Sequence, residues 1–160
     1  MRRYYEPGNA YFLTTVTKDR KEIFLNNSLC RILLVSLEYY KIILEYKVLG
    51  FCIMPDHLHL IIKPSDRFNP SFIMKMVKGS FTRKVNKLND TKGSYWQSSF
   101  FDEVIRNDYQ LRTQLQYVHD NPVKAGLVEK EEDYPYSSSK QYLSPTPARP
   151  GALEVDPLSP

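Results

Sequence analysis

YKVLGFCIMPDHLHLIIK, residues 46–63, is the stretch on which the fold turns. Two short apolar runs, 46–54 and 57–63, are separated only by Pro55 and Asp56, and a two-residue gap with turn chemistry joins antiparallel strands in a tight hairpin. Side chains alternate along a strand, so His57, His59 and Ile61 share one face while Leu58, Leu60 and Ile62 take the other. The two histidine Cα atoms then stand about 6.6 Å apart. Both imidazoles can reach one ion from there while the leucines bury the opposite face. An isolated H-x-H pair fits two core or edge histidines bonded to carbonyls equally well, so a metal reading needs a third ligand.

Upstream, AYFLTTVT (10–17) is rich in β-branched and aromatic residues and follows the turn-forming EPGN, which predicts a first strand. NNSLCRILLVSLEYYKII (26–43) places Leu29, Leu33 and Leu37 at helical spacing, with Asn26, Asn27 or Ser28 as N-cap. Downstream, PSFIMKMVKGSFTRKVNKL (70–88) repeats apolar residues at intervals of three and four from Ile73 to Leu88 and predicts a basic amphipathic helix. YWQSSFFDEVIRN (95–107) suits a strand, and DYQLRTQLQYVHDNPVKAGLV (108–128) suits a helix capped by Asp108. The order β-α-β-β-α-β-α predicts an α+β fold, a ferredoxin-like antiparallel sheet with an additional C-terminal helix. Strands one and three normally occupy the centre of such a sheet, which puts the histidines in mid-sheet.

A chain of 160 residues with 42% hydrophobic and 13% aromatic content supports one globular domain. We expect it to span residues 1–143. Residues 144–160, SPTPARPGALEVDPLSP, are Pro-rich without apolar periodicity and are expected to form a tail that adds no core. The formal charge of +4 permits a polyanionic partner without requiring one. Cys30 and Cys52 form no C-x-x-C pair, so neither a disulfide framework nor a cysteine zinc site is indicated, and a reducing cytoplasm fits. The N-terminus MRRYYEPGNAYF lacks the apolar region of a signal peptide, and no run reaches the ~20 apolar residues of a membrane span.

The third ligand is sought in QLQYVHDNPVKAGL (114–127). Tyr117 and Asn121 are four apart and share a helix face, so Asn121 could offer its side-chain oxygen to an ion while Tyr117 points at whatever the ion binds. Pro122 disfavours helical backbone at the residue before it, which predicts that the helix ends or kinks at Asn121. His119 falls on another side. Basic residues that could meet phosphates are Arg2 and Arg3, then Lys75, Lys78, Arg83 and Lys84 of the second long helix, and Arg106, Arg112 and Lys124 around the tyrosine helix. Each of these also fits a solvated helix face. Tyr4, Tyr5 and Trp96 could stack on unpaired bases, and Trp96 suits the core equally.

The combination of DHLHLII, GSYWQSSFFDEVIRND, YVHDNPVKAGLV and DYPYSS, in that order, resembles the REP-associated tyrosine transposases. These belong to the single-tyrosine transposases named for a histidine-hydrophobic-histidine motif, and the likeness covers roughly residues 8–140. H-x-H alone is weakly specific; H-x-H on a strand followed by W-Q and Y-x-x-x-N-P is much more so. The resemblance implies that His57, His59 and Asn121 hold a divalent metal, Mg²⁺ or Mn²⁺, and that Tyr117 attacks a DNA phosphodiester. The implied substrate is single-stranded DNA carrying a hairpin, cut through a 5′-phosphotyrosine link with release of a 3′-hydroxyl, by a monomer or homodimer. Two imidazoles and one amide, taken as ligand types, suit Mn²⁺ or Zn²⁺ better than Mg²⁺. The competing class is a non-catalytic nucleic-acid-binding module on the same fold, but strand three carries histidines and aliphatics where such a module displays stacking aromatics. Replication initiators and relaxases share the chemistry but have a larger, differently ordered architecture.

Overall fold

The computed structural model describes residues 3–143 and 153–158. Four strands, β1 (Ala10–Val16), β2 (Lys47–Met54), β3 (His57–Lys63) and β4 (Phe101–Ile105), form one antiparallel sheet in the order β2-β3-β1-β4. The predicted α+β arrangement is therefore found, with β1 and β3 central. Helices α1 (Asn27–Leu44) and α2 (Pro70–Asn89) lie on one face, where Leu33, Leu37, Val77 and Phe81 bury against Leu13, Leu58, Leu60 and Ile62. Helix α3 (Asp108–Lys124) covers the other face, packing Leu115 and Val118 on Phe12, Leu49 and Ile61. A short α4 (Ser139–Leu143) follows. Among the described residues no helix is long and apolar enough to cross a membrane, and both cysteines are free and buried.

Local chemistry explains the boundaries. Asn26 caps α1 through Ser28 N–H, and Asn69 caps α2 through Phe72 N–H with Pro70 in the first turn, where its missing N–H costs nothing. Three expectations are corrected. Asn107, not Asp108, caps α3, accepting from Gln110 N–H at 2.8 Å. Helix α3 does not stop at Asn121 but runs through Pro122 to Lys124, because Pro122 is buried in the packing and only the final turn lies beyond it. The backbone closes with Ala125 N–H donating to Asn121 O at 3.0 Å and Leu127 N–H to Pro122 O at 2.9 Å.

The third correction concerns the Pro-rich tail, which was expected to add no core. Leu153 is fully enclosed in the α1/α2 core cluster. Three residues later Asp156 pairs with the open edge of β2: its N–H donates to Val48 O, and its carboxylate accepts from Val48 N–H and from Lys41. Farther along the same edge, Ile53 N–H donates to Tyr136 O and Ser138 N–H to Phe51 O. An edge strand that would otherwise present unpaired backbone groups is thereby covered by its own chain.

The seat of α3 is set at Gly50. The β2–β3 register shifts between Val48 and Gly50, and a Cβ at Gly50 would lie 2.5 Å from Leu115 Cδ2. A side chain at this position would force the tip of Leu115 to give way in the packing under α3. Gly50→Ala should therefore destabilise the fold by about 1–3 kcal/mol through overpacking, read as a lower urea midpoint at unchanged slope. A variant as stable as the parent would show that α3 is not wedged here.

Candidate active site

The β1–β3 register places Val16 opposite His57 and Thr14 opposite His59, so both imidazoles emerge on the face that α3 covers. Their Nε2 atoms meet at 3.1 Å. Each outer nitrogen is held. Nδ1 of His57 lies 2.6 Å from Asp56 Oδ1, and Nδ1 of His59 lies 2.8 Å from Thr14 Oγ1. Asp56 is itself fixed: its carbonyl accepts from Thr17 N–H at 2.9 Å, and its second carboxylate oxygen faces Arg20 at 3.3 Å. Burial opposes ionisation of Asp56, but the hydrogen bond and charge of His57, then Arg20, outweigh it and hold the carboxyl below its usual range.

In its neutral form His57 gives its Nδ1 proton to Asp56 and leaves Nε2 with a bare lone pair. His59 is neutral, since burial and then the neighbouring His57 push its pKa down to about 3. A threonine hydroxyl can donate or accept, so Thr14 allows His59 either tautomer. In one, His59 Nε2–H donates to His57. In the other, two lone pairs face each other at 3.1 Å, an arrangement that a cation or a shared hydrogen-bond donor relieves.

Helix α3 supplies the rest. Tyr117 is 45% exposed. Its ring stands edge-on to His59 at 5.5 Å and to Phe12 at 6.1 Å, while Phe12 stacks on His59 at 5.4 Å. Asn121 lies one turn later on the unbroken helix, with Oδ1 buried and without a hydrogen-bond partner among the described residues. A buried amide oxygen with no donor is costly, and a cation is a fitting partner. Among the described residues no group of three or more His, Cys, Asp or Glu side chains could hold a metal. An ion at the two imidazoles would therefore need its further ligands from groups other than His, Cys, Asp or Glu side chains. His119 points elsewhere, as its spacing implied. Its Nε2 meets Ser138 Oγ at 2.8 Å, and burial lowers its pKa to about 4.

The basic residues divide. Lys75, Lys78 and Arg83 line one groove beside α2, whereas Lys84 faces α1 near Arg31 and Val35. Arg3 pairs with Asp102 at 2.5 Å and lies over the Phe100 ring at 4.1 Å. Arg106 is committed to Glu6, and Arg112 lines a pocket with Lys47 and Lys63 at the opposite end of the sheet. Lys124 is exposed in the last turn of α3, and Arg2 lies outside the described residues. Tyr4 is exposed, but Tyr5 is partly buried with its hydroxyl on Ser71. Trp96 belongs to the core, against Phe24 and Phe81. Sequence reasoning missed Asp56, Thr14 and Phe12. Asp56 could have been found from its place directly before His57, since ligating histidines commonly hold a carboxylate through the second nitrogen. Thr14 and Phe12 required the strand register.

The model of the family described as Transposase IS200 like matches residues 8–121. A Haemophilus influenzae (strain Rd) protein, a REP-associated tyrosine transposase candidate, is 33% identical over 150 residues, covering 86% of this chain and 83% of that protein. The REP-associated tyrosine transposase of Escherichia coli K12 is 28% identical over 140 residues, covering 86% and 80%. Among solved structures, a REP-associated tyrosine transposase bound to a REP hairpin matches with a TM-score of 0.80 at 25% identity, over 98% of this chain and 91% of that one. A Deinococcus radiodurans chain at 19% identity and TM-score 0.51, covering 75% of this chain and 95% of its own, shares the fold. With its central H-x-H strand, its tyrosine helix and these likenesses over most of its length, the chain belongs to the IS200-like transposase family, among the REP-associated tyrosine transposases, and is an enzyme of that family.

Proposed function

We propose that the protein nicks and rejoins single-stranded DNA next to a hairpin, with Tyr117 as the nucleophile and a divalent cation, Mg²⁺ or Mn²⁺, held by His57, His59 and Asn121. The observation that carries this reading is the meeting of the two Nε2 atoms at 3.1 Å beside the half-exposed Tyr117 ring. Hairpin DNA as partner is supported by the likeness to the chain solved with a REP hairpin.

The phenol oxygen of Tyr117 attacks phosphorus and the bond from phosphorus to the 3′ oxygen breaks. The phenol gives up its proton, and the departing 3′ oxygen takes one up from the surroundings. The enzyme is left joined to a 5′-phosphate. Attack on that link by another strand's 3′-hydroxyl reverses the step and joins DNA without a nucleotide cofactor. A cation bound at the two imidazoles would supply Lewis-acid polarisation of a non-bridging phosphate oxygen. The chain's own residues do the positioning. Asp56 and Thr14 fix the ring planes of the histidines, Phe12 packs against His59 and Tyr117 and limits their movement, and the unbroken α3 sets Tyr117 and Asn121 on one face.

Labelled hairpin oligonucleotides with unpaired flanks, incubated with Mn²⁺ or Mg²⁺, should yield a denaturant-resistant adduct with the wild type. Tyr117→Phe should yield none while binding the hairpin within about twofold, since a single hydroxyl contributes little to a phosphate-dominated contact. An adduct of undiminished yield from Tyr117→Phe would remove this tyrosine from the role. His57→Ala with His59→Ala should lose the adduct, and wild-type cleavage that persists in a chelator would exclude the metal.

Asn121 gives a separate check on stability alone. Replacing a buried oxygen that has no donor by an apolar group of similar size relieves its desolvation. Asn121→Leu should therefore be more stable than the parent by about 1 kcal/mol in a chelator. The wild type should gain up to about 2.7 kcal/mol at a hundred times the Kd for Mn²⁺, and Asn121→Leu much less. Equal Mn²⁺-dependent gains in the two proteins would remove Asn121 from the ligand set.

A further inference from the structure

Helix α1 is apolar on two sides. Leu29, Leu33, Leu37 and Leu44 turn one of them into the core. Val35, Tyr39 and Ile42 recur at intervals of four and three on the opposite side and stay 49%, 54% and 69% exposed, with Ile43 beside them at 52%. A surface helix ordinarily carries one apolar stripe and a polar face. A second stripe, contiguous over two turns, marks a contact surface.

The two ends of this stripe differ, and they are complementary. At its N-terminal end an apolar groove of about 350 Å³, lined by Ser28, Ile32 and Val35, opens between α1 and α2 beneath Arg31 and Lys84. Neither cation forms an ion pair among the described residues. At the C-terminal end stand Ile42 and Ile43 with Glu45, whose exposed carboxylate meets Arg67 only at 3.9 Å. Turned end for end, a second α1 presents its isoleucines to the groove and its carboxylate to the cations. An antiparallel crossing centred between Glu38 and Tyr39 pairs Val35 with the partner's Ile42 and brings Arg31 beside the partner's Glu45, whereas a parallel pair would set Arg31 against its own copy. Glu38, which falls beside the axis, keeps its Oε2 buried under its own chain.

We propose that two copies of the chain associate through this face, α1 antiparallel to α1 about a twofold axis. The contact is isologous, so it closes at two copies. Four apolar side chains and a groove fall short of the roughly 800 Å² per partner of a standard interface, which sets the association in the micromolar range. Because α1 and α3 cover opposite faces of the sheet, His57, His59 and Tyr117 of each copy face away from the contact. Each site stays whole within its own chain, and one assembly carries two of them. On the proposed reading of the site, such a dimer holds two DNA ends at once, as joining two strands requires.

The wild type without DNA, followed by sedimentation equilibrium from about 1 to about 200 µM, should shift from monomer to dimer. Val35→Lys with Ile42→Lys, both at exposed positions, should stay monomeric across that range at an unchanged melting temperature. Arg31→Glu should raise the dimer dissociation constant at least about tenfold, and adding Glu45→Arg should bring it back within about threefold of the wild type. A wild type that stays monomeric at the highest concentration, or a dimer that Val35→Lys with Ile42→Lys leaves intact, would overturn the proposal. So would failure of the exchanged charge pair to recover what Arg31→Glu loses. No DNA is present, so the outcome is independent of whether Tyr117 cuts.

Discussion

The register between β1 and β3 is the constraint on which the site depends. Antiparallel pairing sets Thr14 against His59 and Val16 against His57, and a slip of one residue would turn both imidazoles into the α1/α2 core. The same register brings the Thr14 hydroxyl to His59 and stacks Phe12 on it. It is enforced from the other face. Leu58, Leu60 and Ile62 are fully buried, so the strand has no second position that keeps them from water. The hydrophobic effect on one face thus fixes the polar geometry on the other.

The second element is the distance of α3 from the sheet. Leu115 enters the space left by Gly50, and Tyr117 and Asn121 follow on the same helix. His119 is turned toward Ser138, whose hydroxyl also accepts from Phe51 N–H on the edge of β2. Helix position, edge protection and the tyrosine's reach are therefore coupled through a few close contacts. Ligand geometry held within fractions of an ångström requires this kind of support from behind.

Much of this was legible in the sequence, and the exceptions have physical causes. The strands and helices follow from alternation and helical spacing, and the H-x-H hairpin needs only the period of two. The end of α3 was misjudged because local propensity at Asn121–Pro122 disfavours helix, whereas burial of Pro122 in the packed fold overrides it. The core role of Leu153 was hidden because a single leucine in a Pro-rich segment has no periodicity to reveal it. In the sequence Arg3, Arg106 and Lys84 are indistinguishable from the other cations. Only the fold shows that Asp102 and Glu6 occupy the first two and that the third faces α1. Trp96 suits core and base stacking equally in the sequence, and the fold puts it in the core with its Nε1–H buried.

On the proposed reading of Tyr117 as a nucleophile on DNA, exposure is distributed across the site as a polymer substrate requires. His59 is buried and neutral and Asn121 hides its oxygen, while Tyr117, one turn away, keeps nearly half its surface in solvent and Phe101 keeps more. A small substrate can be enclosed, so its nucleophile can lie deep. A DNA strand cannot be. The attacking group must stand where a phosphodiester in a continuous chain can reach it, and the electrostatic groups can remain behind it in a low dielectric, where they act most strongly.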